Sequence, residues 1–337
     1  MKFYKDYSLK NYNTFGLDIQ TRYFYEFGSE EDLKQILRED TIHTNKLLVV
    51  GQGSNLLFLN DFDGVVLHCA MNDIRVLEQK GDDVLLEAGA GVIWDDLVAY
   101  CVKNNWWGVE NLSLIPGETG AAAIQNIGAY GAEIKDVVQK IKTIEIETSA
   151  SRVFDVSECG YGYRQSVFKN ELKGSYIVTS VVIKLSAKSL LNLNYQHLEQ
   201  EVLKKGVLNL QNIRNTIIEI RESKLPDPKV LGNAGSFFMN PVVSRDKFES
   251  LEQEYPQMPH YKVSAAEEKI PAGWLIEQCG WKGKSIGKVG VHEKQALVLV
   301  NLGGAKGKEI EQLALQIQES VSEKFGIQLI PEVNFIS

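Results

Sequence analysis

Two stretches of this chain are dominated by small residues, so that backbone rather than large side chains would meet a ligand there. Residues 114–131 read LIPGETGAAAIQNIGAYG, and residues 51–55 read GQGSN. The longer stretch holds Gly117, Gly120, Ala121, Ala122, Ala123, Gly128, Ala129 and Gly131, with Glu118 its only acid and no Lys or Arg. Backbones this bare can approach a flat or diphosphate-bearing ligand closely and aim consecutive N–H groups at it. A tightly packed turn between two elements uses the same residue types, and a hairpin-like bend would suit GQGSN equally well. Neither stretch is a GxGxxG opening a helix, so a Rossmann dinucleotide site is not indicated.

The elements that must position these stretches follow from periodicity. Ser29 caps a short helix through Leu33, Ile36 and Leu37, with Asp32 in the capping-box position. Lys46 to Val50 is an apolar strand leading into GQGSN. Strands are expected at 64–69, 73–78 and 83–88, then a helix at 93–103 with Trp94, Leu97, Val98 and Cys101 on one face. Beyond the small-residue stretch come strands at 141–147, 152–156 and 175–185; in the last, Ile177, Thr179, Val181, Ile183 and Leu185 share a face. A polar helical region spans about 195–223, and Pro226 and Pro228 place a domain boundary near 222–230. A strand is expected at 294–301. The helix at 307–325 carries a stripe of Ile310, Leu313, Ala314, Ile317 and Val321, with Gly326 to end it. A final strand, 326–336, is interrupted by Pro331.

Composition narrows the function classes. The length of 337 residues suits two or three domains, and 44% hydrophobic with 24% charged residues is ordinary for a globular enzyme. A net charge of −8 offers no broad basic surface for nucleic acid, although a local cationic cluster could still meet an anionic small molecule. The four cysteines, Cys69, Cys101, Cys159 and Cys279, are isolated, so neither a disulfide framework nor a metal site is expected. There is no signal-like start and no run of ~18 apolar residues, so no membrane-spanning helix is expected and the cytoplasm is the default address.

Five pieces, in order, are NTFG (13–16), GQGSN (51–55), IPGETGAAAIQNIGAYG (115–131), YGYRQSVFK (161–169) and KLPDPKVLGNAGSFFMNP (224–241). With PEV at 331–333 they resemble the UDP-N-acetylenolpyruvoylglucosamine reductases over essentially the whole chain, and the segment around Tyr195 resembles the longer type of that family. The resemblance implies an α+β fold: a two-domain FAD-binding scaffold of the vanillyl-alcohol-oxidase type followed by a C-terminal α+β substrate-binding domain. The corresponding boundaries are 1–68 and 69–222 for the FAD subdomains and 223–326 for the substrate domain, with the closing strand at about 327–337 able to return to the first.

Bound FAD and the reductant NADPH are implied in the same way, although no residue here decides NADPH over NADH. The resemblance puts Gly51, Gly53, Ser54 and Asn55 at the cofactor diphosphate. It lines the flavin and its phosphates with Ile115, Gly117, Gly120, Ala121, Gln125, Asn126 and Gly128. Reducing an enol ether needs a hydride at one alkene carbon, a proton at the other, and stabilisation of the charge between. Ser236 matches the family's proton donor, and Arg164 with Glu332 its enolate-stabilising pair. Glu332 helps only if it presents a proton, and strand alternation sets it opposite Leu329, Val333 and Phe335. The partner is a UDP-linked enolpyruvyl sugar, for which Tyr163, Tyr195, Arg221, Lys224, Asn240 and Tyr261 match pocket positions. His292 invites an acid–base role but is read as structural or pocket-lining, with Gln295 a weaker candidate beside it. Met239 stands where some relatives carry a lysine. A monomer is the simplest expected state. The rival classes are an alcohol oxidase on the same flavin scaffold and a non-catalytic nucleotide-binding protein.

Overall fold

The computed structural model describes residues 1–193, 195 and 197–337. Contacts divide the chain into two compact units. One comprises Met1–Tyr7, Thr21–Gln52 and Asp63–Ser223; the other comprises Ser8–Gln20, Gly53–Phe62 and Lys224–Ser337.

The first unit carries two sheets. In one, the strand order is Lys2–Ser8, Gln20–Phe27, Phe62–Cys69 and Lys46–Val49, the last two running parallel with Lys46 opposite Gly64. The other is antiparallel, in the order Ser151–Asp155, Val138–Glu145, Tyr176–Ser186, Asp83–Gly89 and Ile74–Lys80. Its central strand, Tyr176–Ser186, is apolar on the face expected and also buries Val178, Ser180 and Val182 on the other. A strand covered on both sides loses the polar alternation of a half-exposed one.

Helices pack on this frame where the apolar spacing puts them. Ser29 Oγ accepts from Asp32 N at the start of Glu30–Ile36, while the Asp32 carboxylate reaches Gly28 N instead of closing back on Ser29. The helix Trp94–Lys103 buries Trp94, Leu97, Val98 and Cys101 as its spacing requires, and the Trp94 indole donates to Leu112 O at 3.0 Å. The polar region after 195 is two helices, Leu198–Leu203 and Leu210–Lys224, because Gly206 at φ 121° interrupts it. Arg214 then fixes the longer helix to the Trp94–Lys103 helix through two bonds to the Asp95 carboxylate, at 2.7 and 2.8 Å. This pairing outweighs the effect of burial and holds the Asp95 carboxyl below its usual value.

The second unit has a four-stranded sheet in the order Gly232–Ser236, Val298–Asn301, Val289–Val291 and Ser285–Ile286, and a small sheet of Val242–Ser244, Glu267–Lys269 and Tyr261–Lys262. The helix Gly307–Phe325 buries its whole predicted stripe and stops at Gly326, φ 60°. Two strands are shorter than their patterns suggest. Val298–Asn301 begins late because residues 295–298 form a turn, Val298 N donating to Gln295 O. The closing strand is only Asn334–Ile336, parallel to Leu56–Phe58. Among the described residues no helix is long and apolar enough to cross a membrane, and no cluster of His, Cys, Asp and Glu could hold a metal ion.

Candidate active site

The GQGSN turn leaves the Lys46–Val49 strand with its backbone pressed against other backbone. Gly53 sits at φ +63°, and a Cβ there would lie 2.0 Å from the Tyr12 carbonyl oxygen. A Cβ on Gly51 would lie 2.8 Å from Glu118 Oε2. Among the described residues, the amides of Gly51, Gln52, Gly53 and Asn55 donate to no backbone carbonyl. A glycine-tight turn with these four amides unspent on carbonyls fits the anionic oxygens of a diphosphate. Asn55 is anchored elsewhere: its Nδ2 donates to Glu332 O at 3.0 Å, and its carbonyl accepts from Asn334 N.

The longer stretch spends its donors inward. Gly117, at φ 118°, donates its N–H to Gln52 Oε1 at 3.0 Å, Thr119 N to Val92 O, and Gly120 N to Ala90 O. A Cβ on Gly120 would meet Ala90 Cβ at 2.8 Å. These contacts seat the helix Thr119–Gln125, which leaves Ala121 and Gln125 half-buried on its surface; Ile115, in the loop before it, is half-buried as well. The helix ends at Asn126, a fully buried residue in the left-handed region at φ 47°. Asn126 Nδ2 donates to Glu133 Oε2 and Gly162 O, both at 2.8 Å, and its Oδ1 accepts from Lys135 N. The Asn126 side chain therefore braces the loop bearing Arg164.

That loop is a closed tip. Gly162 and Gln165 exchange N–H···O bonds in both directions at 3.1 Å, leaving Tyr163 and Arg164 at its apex. Arg164 takes φ +57°, a left-handed conformation costing a non-glycine residue about 1–2 kcal/mol. Long-range bonds hold it there: Nη2 to Gly128 O at 2.7 Å, Nη1 to Asn126 O at 3.3 Å, and Lys169 Nζ to the Arg164 carbonyl. A Cβ on Gly128 would come 3.1 Å from Nη1, so the glycine admits the guanidinium.

In the second unit, Ser236 is placed by a bulge. Asn233 pairs with Val300 and Ser236 with Val298, so one more residue runs on the first strand than on its partner. Gly235, φ +67°, makes the kink, and its N–H is caught by Asn233 Oδ1 at 2.9 Å. Bulges re-aim side chains, and this one leaves Ser236 exposed between buried Ala234 and Phe237. Glu332 lies beside it in the backbone network: Glu332 N donates to Phe237 O at 2.8 Å, and Phe238 bridges Pro331. The strand alternation expected around Glu332 does not hold. Leu329 and Val333 are buried but Phe335 is 37% exposed, because residues 327–333 are not strand and Pro331 resets the direction.

The residues expected to contact the UDP-sugar are divided between the units. In the first, Tyr195 meets Tyr130 edge-on at 5.7 Å, above the hairpin of Gly128–Ala129 and Ala132–Glu133. Asn111, 2% exposed, ties that loop down by donating to Tyr130 O and Asn192 O. Arg221 donates to Leu114 O at 3.2 Å, and burial lowers its affinity for its proton. Tyr163 is exposed at the Arg164 tip, with the Arg164 guanidinium 5.3 Å from its ring. In the second unit, Asn240 Oδ1 accepts from Ala272 N and caps the helix Ala272–Gln278. Tyr261, exposed, sits opposite Lys269 in the small sheet that begins just after Asn240. Lys224 is an exposed helix end. His292 Nδ1 accepts from Lys294 N and Gln295 Oε1 from Leu297 N, both local turn bonds that fit a structural role.

Sequence reasoning missed the groups that brace these loops. Gln52, Asn111, Glu118 and His68 act through partners far along the chain, and no periodicity marks them. Glu118 alone left a signal, as the one acid in a stretch otherwise of small and neutral residues.

Residues 227–336 match the profile described as the C-terminal domain of UDP-N-acetylenolpyruvoylglucosamine reductase, and residues 21–150 match an FAD binding domain. The chain is 51% identical over 330 residues to the UDP-N-acetylenolpyruvoylglucosamine reductase of Bacteroides fragilis strain YCH46, covering 98% of this chain and 99% of that one. The protein of the same name from Flavobacterium johnsoniae is 45% identical, with 100% of both chains covered. The crystal structure of the Thermus caldophilus reductase shares the fold, with a TM-score of 0.68 over 100% of this chain and 98% of that one, at 24% identity. With half its residues identical across its length to a reductase of that name, the chain belongs to the UDP-N-acetylenolpyruvoylglucosamine reductase family.

Proposed function

We infer that this chain catalyses the FAD-dependent reduction of UDP-N-acetylglucosamine enolpyruvate to UDP-N-acetylmuramate, with NADPH as reductant, in peptidoglycan precursor synthesis. The observation that carries this reading is the bulge at Gly235, which presents an exposed Ser236 hydroxyl beside the backbone that fixes Glu332.

Gly51, Gly53, Ser54 and Asn55 would hold the cofactor diphosphate, and Ile115, Ala121, Gln125 and Gly128 would line the flavin. Gly117, Gly120 and Asn126 act from behind, through the inward bonds that seat the helix and the Arg164 tip. When bound, FAD supplies the hydride delivered to C3 of the enol ether, which no side chain can do. The chain's own work is at the other carbon. Ser236 Oγ holds the proton that goes to C2. Charge built on the neighbouring carboxylate is met by the Arg164 guanidinium, pre-set by its bonds to Gly128 and Asn126, and by a proton on Glu332. Tyr163, Tyr195, Arg221, Lys224, Asn240 and Tyr261 hold the UDP-sugar, with Tyr195 and Tyr261 closing over the nucleotide. The working unit is a cytoplasmic monomer, with FAD subdomains at 1–68 and 69–222 and a substrate domain at 223–326.

The test is a visible spectrum followed by anaerobic reduction with NADPH. The yellow band bleaches and returns on adding the enolpyruvyl substrate. Ser236→Ala stays yellow and is still bleached by NADPH, but recovery with substrate slows by roughly 100-fold or more. Recovery at the wild-type rate removes Ser236 from the role, and a protein that takes up no FAD removes the function.

A further inference from the structure

Glu118 is a buried carboxylate placed against the turn assigned to the cofactor diphosphate. It is 7% exposed, precedes the helix Thr119–Gln125, and brings its Oε2 to 2.8 Å from where a Cβ on Gly51 would stand. A bare negative charge at that point would repel a diphosphate. Its partner is His68, at the end of the strand Phe62–Cys69, whose Nε2 lies 3.2 Å from Glu118 Oε1. The other ring nitrogen, Nδ1, is 3.3 Å from Glu26 Oε2, and Glu26 in turn accepts from Lys2 Nζ at 2.6 Å. Phe24 covers one side of the imidazole, its ring centroid 6.3 Å away.

We propose that His68 is a positioning and charge-balancing residue for FAD: it clamps Glu118 beside Gly51 and cancels its charge, so that the cofactor diphosphate faces a neutral wall. This rests on the assignment of residues 51–55 to that diphosphate. With His68 protonated, the chain of Lys2, Glu26, His68 and Glu118 alternates in sign and sums to zero. With His68 neutral, one negative charge is left over, and Glu118, the member beside the turn, is the one without a cation.

The sign of the pH dependence follows. Burial alone would lower the His68 pKa, but Glu118 and Glu26 outweigh it and raise it above the ordinary 6.5. While Glu118 is ionised, the clamp is therefore complete at pH 6.5 and is lost as pH rises through the raised His68 value. Burial raises the Glu118 carboxyl, and Lys2 lowers that of Glu26. Cys69, next in sequence, is pushed up to about 12 by burial and stays a neutral thiol across the range.

The experiment titrates FAD into apoprotein from pH 6 to 9 at constant ionic strength, reading flavin fluorescence, with circular dichroism to confirm folding. For wild type, Kd should rise about tenfold across the range. His68→Asn should bind with the weak, high-pH Kd at every pH, and Glu118→Gln with the tight, low-pH Kd at every pH. A pH dependence that persists unchanged in Glu118→Gln or His68→Asn overturns the proposal, as does a flat wild-type profile. Should His68→Asn fail to fold, the wild-type and Glu118→Gln profiles still decide. Ser54→Phe separates the two levels of inference. If it binds FAD like wild type, the diphosphate assignment itself falls; if it abolishes binding while the pH profiles stay unaltered by the other variants, only the His68 role does.

Discussion

The two small-residue stretches look alike in sequence and are used in opposite ways. In residues 51–55 Gly53 lets the backbone come within contact of other backbone, and the amides of Gly51, Gln52, Gly53 and Asn55 stay unspent on carbonyls among the described residues. In residues 114–131 the amides of Gly117, Thr119 and Gly120 are spent within the protein, on Gln52, Val92 and Ala90. One stretch offers donors; the other presents a surface and braces its neighbours. Glycine therefore has more than one cost when replaced, and the cost ranks the positions.

Gly53→Ala should be the most damaging. The new Cβ would sit 2.0 Å from the rigid Tyr12 carbonyl oxygen, at a φ of +63° that alanine resists. The conformational and overpacking terms together reach about 3 kcal/mol or more. The expected result is a urea midpoint lowered to the edge of folding and no FAD uptake. A midpoint unchanged from wild type would break the claim that this turn is set by close backbone approach.

Gly120→Ala meets a side chain instead, Ala90 Cβ at 2.8 Å, in an ordinary helical conformation. The cost should be about 1–3 kcal/mol, and Ala90→Gly should recover much of it in a double-mutant cycle. Rescue of stability together with FAD affinity would identify Gly120 as a packing residue of the flavin wall. Gln52→Ala comes next. It strips the partner from the buried Gly117 amide, for about 1–2 kcal/mol by chemical denaturation. If Gln52→Ala is neutral, the inward use of that amide is not a constraint.

How much of this could be read from the chain alone depends on the range of the contact. The helix Gly307–Phe325 was legible to the residue, because Ile310, Leu313, Ala314, Ile317 and Val321 need only their own periodicity and Gly326 only its own φ. The chemistry-bearing residues were legible only as a resemblance. Arg164 holds its left-handed conformation through Gly128 and Asn126, 36 and 38 residues earlier in the chain, and nothing in YGYR announces that. The bulge that exposes Ser236 is defined by register against Val298 and Val300, far along the chain. Around Glu332 the alternation failed for a local reason, Pro331, joined to a distant one, the clamp from Asn55 to the Glu332 carbonyl. Polar braces such as His68 with Glu118, and Asn111, are invisible to periodicity because each needs partners from other elements.

The smallest effect belongs to Gly131, and it isolates the last of glycine's uses. Tyr130 and Gly131 form the two-residue link of a hairpin, at φ 49° and 78°, the pairing of signs a type I′ turn requires. A Cβ on Gly131 meets nothing nearer than Tyr195 Cβ at 3.6 Å, so packing does not forbid it. Gly131→Ala should cost only the left-handed penalty, about 1 kcal/mol, and Gly131→Asn less, since asparagine tolerates that conformation. Both should leave FAD affinity alone, whereas any rise in KM for the UDP-sugar would register through the neighbouring Tyr195. A Gly131→Ala loss as large as that of Gly53→Ala would mean that φ, not the clash with Tyr12, sets the cost at both positions, and the contrast between the two stretches would then reduce to backbone conformation alone.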